Sequence, residues 1–257
     1  LETGQFDRVT AFSPGTGETE STRKFKIEWL NENFRRSSLT WMSLFFLIIV
    51  FPGLQFASFD KSSMMLNSLD DTMRILTYVL TMALLWSLFA LAYFTTYREQ
   101  TGLKGLGFKK IRTVDFMYGI AFFLAAGGVV LPSFTWFLGK IGHPMPGEIG
   151  LLLPKENIGR VIWVFTSASA GICEETMFRG YLMTRLRLVG DFQNWVIPTI
   201  VSSIAFGICH SYQGWPGMLT ISLYGAMFSL LFIYTRSIWP GVVAHFFQDF
   251  IALFIPQ

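Results

Sequence analysis

Charge is scarce in this sequence. Lys, Arg, Asp and Glu together make up 14% of its 257 residues, where soluble domains carry about a quarter. A water-soluble globular fold is therefore a poor fit. There are two cysteines, Cys173 and Cys209, both within apolar runs, which excludes the disulfide framework of a small secreted domain. The net charge is only +3, and no basic cluster is interleaved with aromatic residues in an exposed domain. Nucleic acid is excluded as a partner on that ground. The lysines and arginines suit loops that face anionic lipid headgroups. The first 38 residues are largely polar and show no secretory signal. No internal repeat is visible.

What the chain does contain is apolar. Hydrophobic residues make up 52%, with 27 Phe and 11 Met, so the expected fold class is an all-α polytopic membrane protein with the lipid bilayer as its main solvent. Seven long apolar segments lie near 39–58, 73–97, 114–138, 158–187, 194–212, 217–235 and 238–256. At ~1.5 Å per residue each is long enough, or nearly so, to cross about 30 Å of hydrocarbon. An eighth, re-entrant segment around Ile149 to Leu153 is left open. Residues 1–24 read as a mobile polar tail and 25–38 as an interfacial helix or a plain juxtamembrane linker. Residues 25–257 then form one membrane domain. The connection from Gly139 to Arg160, with three prolines and several glycines, cannot be a regular helix throughout.

Alternate connections total fifteen and five Lys plus Arg, or fourteen and five once Arg179 is assigned to the bundle interior. That bias predicts a cytosolic N-terminus. The host membrane depends on the source: the plasma membrane of a prokaryote, or the endoplasmic reticulum or another organelle of a eukaryote.

The chain is organised around Cys173-Glu-Glu-Thr-Met-Phe-Arg-Gly-Tyr-Leu182, inside the fourth segment. Ionisable groups in hydrocarbon are costly and mark functional sites by default. Glu175 and Arg179 are four apart and share a helical face, so they read as a structural pair. Glu174, about 100° away, has no partner in its own helix and is the candidate reactive carboxylate. His210 ends the fifth segment. His245 and Asp249 share a face of the seventh. Counted from Arg187, Asn194 and Arg236, which the charge count places on one side, Glu174, His210, His245 and Asp249 all fall at about 14–24 Å depth. Taken singly, a membrane histidine often only hydrogen-bonds a neighbouring helix; the matching depth of four such groups is what points to a site. His143 lies in the proline-rich loop and reads as a bystander. Cys173 and Cys209 read as small apolar filler, since a nucleophilic cysteine needs a base beside it. For Gly180, close helix approach and simple small-residue packing are equally good readings.

Glu174-Glu175-x-x-x-Arg179, Phe206-x-x-x-His210 and His245-x-x-x-Asp249, in that order on successive segments, resemble the three motifs of the CAAX protease and bacteriocin-processing (CPBP) family of intramembrane glutamate proteases. The resemblance runs from about residue 161 to the C-terminus. It implies an intramembrane endopeptidase with no cofactor and no metal. Glu174 and His210 would activate a water, and His245 with Asp249 would stabilise the oxyanion. Glu175, Arg179 and Phe206 would be structural or orienting. The prenyl-protein branch of the family has Asn at the last position, where this chain has Asp249, so the favoured role for Asp249 is orienting His245. The implied partner is a peptide or membrane-protein substrate, lipidated or not. A cavity open to lipid on the cytosolic side would accept a prenylated CAAX tail. Two other readings stay open: a zinc metalloprotease, although the His-Glu-x-x-His spacing is missing, and a nonproteolytic scaffold, immunity or transporter-accessory protein on the same fold.

Overall fold

A computed structural model describes residues 34–58, 69–146, 150 and 152–254. The expected polar tail, and residues 25–33 of the expected interfacial helix, lie outside the described residues. Among these residues every regular element is a helix. Seven helices follow one another: α1 (Ser38–Ala57), α2 (Asp71–Arg98), α3 (Thr113–Lys140), α4 (157–189), α5 (Val196–Ile208), α6 (Gly214–Thr235) and α7 (Trp239–Ile251). Side chains mark several starts: Ser37 accepts from the Thr40 amide at α1, and Asp70 from the Met73 amide at α2. The turns just before Pro52 and Pro132 are π-helical, at Phe46–Val50 and Phe123–Val130. A proline has no amide hydrogen and crowds the carbonyl four residues back, so the preceding turn widens.

The large apolar residues that face outward, among them Trp41, Leu80, Phe94, Leu124, Trp136, Phe165, Ile200 and Leu230, form a surface suited to lipid tails. The protein is a multi-pass helical bundle. Among the described residues four stretches are long and apolar enough to cross a membrane: Ser38–Ala57, Asp71–Arg98, Thr113–Lys140 and Ser211–Thr235. The other three differ from the sequence expectation. Helix α4 has ample length but carries the chain's central charges. Helices α5 and α7 have 13 residues each, about 20 Å, short of a full crossing. The apolar run of the fifth segment continues to Tyr212, but the helix stops at Ile208, and the chain turns through Gly214 at φ 71°. At the expected re-entrant segment, Leu153 N donates to Gly150 O (3.1 Å) in a single tight turn.

Helix α4 is the central column, packed along α2 and α7, while α5 pairs with α6 and α7 with α3. Its inner face builds the core: Cys173, Met177, Phe178, Tyr181 and Leu182 meet Leu44, Leu47, Leu85, Leu88 and Leu106. Gly180 has a definite reason. A Cβ there would sit 2.6 Å from the backbone oxygen of Leu106, so the tight turn Leu103–Leu106 lies directly on α4. Gly180→Ala is expected to cost about 1–3 kcal/mol through overpacking, read as a lower melting temperature in detergent.

The two ends of the bundle are distinct. At one, Arg35 N donates to Glu99 O (3.2 Å), Ile238 N to Gly107 O (3.1 Å), and Trp239 Nε1 to Lys109 O (2.8 Å). This end gathers positive charge: burial, together with Arg236 and Arg112 nearby, holds Lys109 below the usual lysine range. At the other end, Ser211 Oγ donates to Gln55 O (2.9 Å), Tyr78 to Leu152 O, and the His143 ring packs edge-on to Trp215 at 4.4 Å. His143 is therefore a loop contact at this end of the bundle. Arg185, counted above among the cytosolic charges, is wholly buried and pairs with Glu99 at 2.9 Å. Without it the bias becomes thirteen to five, in the same direction.

Candidate active site

Helices α4 and α7 come close because small residues line their crossing. A Cβ on Gly171 would meet Val242 O at 2.9 Å, and one on Gly241 would meet the Glu175 carboxylate at 2.8 Å. This approach brings the first and third motifs together. Glu175 Oε1 accepts from Arg179 Nη1 at 2.8 Å, as the four-residue spacing predicts, and lies 3.1 Å from His245 Nδ1. Arg179 is buried between the rings of Phe206 (4.3 Å) and Phe228 (5.0 Å), with Nη2 donating to Gly225 O at 3.2 Å. Phe228 also stacks on the His245 ring, 5.5 Å away and tilted 28°. The imidazole is thus gripped on its face by Phe228 and at Nδ1 by Glu175.

With Nδ1 engaged, Nε2 points to two other carboxylates. Glu174 Oε2 is 3.7 Å away and Asp249 Oδ2 3.8 Å. Both distances exceed a hydrogen bond. The bond that orients His245 therefore comes from Glu175, while Asp249 faces the opposite nitrogen. Asp249 is itself placed by Trp163, whose Nε1 donates to the Asp249 carbonyl at 2.9 Å. Glu174 Oε2 is buried and has no hydrogen-bond partner among the described residues. Of the two adjacent glutamates, Glu175 carries both the arginine and the histidine contact on one oxygen, and Glu174 has a free oxygen.

His210 stands just beyond the end of α5. Its Nδ1 is 2.9 Å from the carbonyl of Phe206. A carbonyl only accepts, so Nδ1 carries the proton and Nε2 keeps its lone pair. The spacing Phe206-x-x-x-His210 thus has a local meaning: it fixes the tautomer. Phe206 also lies edge-on to His210 (4.8 Å) and to His245 (6.2 Å).

Glu174, His210, His245 and Asp249 all line one cavity of about 420 Å³. The four residues singled out from the sequence are brought together, Phe206 lines the cavity with them, and Glu175 and Arg179 lie directly behind. Cys173 and Cys209 are both unpaired and buried. Sequence reading passed over further polar lining: Tyr212, Tyr224 and Gln248, with Tyr224 OH donating to Gln248 Oε1 at 3.3 Å. Gln248, immediately before Asp249 in an apolar run, was the available signal. Among the described residues no group of His, Cys, Asp and Glu is arranged to hold a metal ion.

Comparison with known proteins gives one match. No curated protein and no solved structure matches the chain. Residues 157–251 match the family model described as type II CAAX prenyl endopeptidase Rce1-like. The matched stretch opens with α4 and closes with α7, and so contains all three motifs that meet at the cavity. That match supports the family resemblance for this stretch: residues 157–251, which carry the three motifs, are similar to an Rce1-like domain.

Proposed function

We propose that the protein is an intramembrane endopeptidase in which Glu174 is the general base. The observation that carries this reading is the free, buried oxygen of Glu174, 3.7 Å from His245 Nε2, in a cavity shared with His210. Glu174 takes a proton from a water held between it and the lone pair of His210. The resulting hydroxide adds to the carbonyl carbon of the peptide bond. His245 acts as the imidazolium, with its Nδ1 proton given to Glu175 and its Nε2 proton donated to the developing oxyanion, a contact of the kind worth ~10²–10³ in turnover. The C–N bond then breaks, and the proton taken from water passes to the leaving amine. Glu175 holds His245 in register, and Arg179 balances Glu175. Asp249, on the Nε2 side, keeps the ring turned into the cavity. The substrate is a membrane-associated peptide or protein, and the N-terminus is cytosolic.

The test is hydrolysis itself. The purified protein in lipid bilayers, given a panel of prenylated and unmodified peptides, is expected to cut at least one, with the products identified by mass spectrometry. Cleavage is expected to continue under a strong zinc chelator. Loss of cleavage on chelation and its return with zinc would replace the glutamate reading with a metalloprotease. Tight binding of a peptide without any cleavage would favour a scaffold.

A further inference from the structure

The cavity has a closed end and an open one, and the fold says which is which. Its floor is Phe178 and Phe206, with Arg179 wedged behind Phe206. Beyond the floor the bundle is sealed: Tyr181, Leu182, Leu106 and Arg185 have no accessible surface at all, and Leu106 rests directly on Gly180. In the other direction the lining runs out through Tyr78, Gln55 and Gln213 to the loop residues Leu69 and Leu152. These belong to the end of the bundle where Ser211 meets Gln55 and Tyr78 meets Leu152. Among the described residues, none that lines the cavity comes from the connections at 34–37, 99–112, 190–195 or 236–238.

Charge separates the same two ends. Among the described residues the connections and helix tips at the open end hold four Lys plus Arg (Arg74, Lys140, Lys155 and Arg160) and three Asp plus Glu (Asp70, Asp71 and Glu156), so they are nearly balanced. Among the described residues the closed end holds the other nine Lys and Arg outside the buried Arg179 and Arg185. Connections rich in lysine and arginine stay in the cytosol. An earlier expectation, that the cavity opens on the cytosolic side, would need the balanced end to be the cytosolic one.

We propose that the cavity receives its substrate from the face of the membrane opposite the cytosol, so that the peptides cut are segments displayed at, or drawn from, the extracytosolic leaflet. This rests on the endopeptidase reading above and narrows it. A lipidated C-terminal tail presented in the cytosol would meet the sealed, basic end. A membrane-anchored or exported peptide would meet Gln55, Gln213 and the Leu152 turn, with the catalytic groups below them.

Two measurements in sealed bacterial membrane vesicles decide the matter. The first uses single added cysteines and a membrane-impermeant maleimide. Gln213→Cys, at the open end, is expected to label in intact right-side-out vesicles, and Lys110→Cys, at the basic end, only after permeabilisation. The second uses an impermeant peptide that the permeabilised protein cuts. Intact right-side-out vesicles are expected to cleave it at least about tenfold faster than intact inside-out vesicles. Faster cleavage by inside-out vesicles, or labelling of Lys110→Cys from outside, would overturn the proposal. If permeabilised vesicles cut no peptide at all, the endopeptidase reading fails, and the Gln213→Cys labelling still decides which face the cavity opens on.

Discussion

Glu174→Gln is expected to leave the protein folded and to lower peptide cleavage by about 10²–10⁴-fold, the usual contribution of a positioned general base. Glutamine keeps the shape of the side chain and removes its ability to take a proton. Little stability should go with it, because Glu174 Oε2 makes no hydrogen bond among the described residues that the substitution could break. His210→Ala should fall in the same direction, since it removes the lone pair that shares the water. The checks are turnover on a peptide that the parent cuts and the melting temperature of each variant in detergent. Full activity in Glu174→Gln would remove Glu174 from the mechanism and leave His210 and Asp249 as the groups to examine. The separation from Glu175 is what makes the result informative. Glu175 touches Arg179 and His245 at 2.8 and 3.1 Å, so its replacement strips a buried guanidinium of its partner and disturbs folding and chemistry together.

The sequence made the site legible wherever the geometry is local. A four-residue spacing on a helix puts Glu175 beside Arg179 and His245 near Asp249, and both relations are present at 2.8 and 3.8 Å. The assembly of three segments at one depth was legible as well, because helix rise is nearly constant. What could not be read was set by contacts across the fold. Glu175 reaches His245 only because Gly171 and Gly241 let α4 and α7 close together, and no spacing within either helix implies that. The length of α5 was overestimated because the fifth segment was carried to Tyr212, whereas the helix ends where His210 bonds to Phe206 and the chain turns at Gly214. Arg185 was counted among the charges at the cytosolic end of the fourth segment because it sits near that end among other arginines, and its partner, Glu99, is 86 residues away.

That long-range pair carries the largest expected effect on stability. Glu99 lies at the end of α2 with no accessible surface. Its Oε2 accepts from Arg185 Nε at 2.9 Å, and its Oε1 from Thr40 Oγ1 at 2.9 Å and Tyr181 OH at 3.4 Å. One carboxylate therefore ties α1, α2 and α4 together at the end of the bundle that closes the cavity. Arg185 spends its remaining donors on Gly105 O (2.5 Å) and Thr101 Oγ1 (2.7 Å), so it cannot turn to water if Glu99 is lost. Glu99→Ala is expected to destabilise the protein by about 3–5 kcal/mol, the cost of stranding a buried charge. It should appear as a sharp fall in folded yield and melting temperature. Replacing both partners, Glu99→Leu with Arg185→Met, should recover most of the loss, because a well-packed apolar pair leaves no charge uncompensated. Neither residue lines the cavity, so the folded fraction of the double variant should keep its turnover. A double variant as unstable as Glu99→Ala alone would shift the cause from the stranded guanidinium to the lost anchors at Thr40 and Tyr181. A single variant that melts like the parent would mean that apolar packing around Leu106 and Tyr181 holds this end without the ion pair.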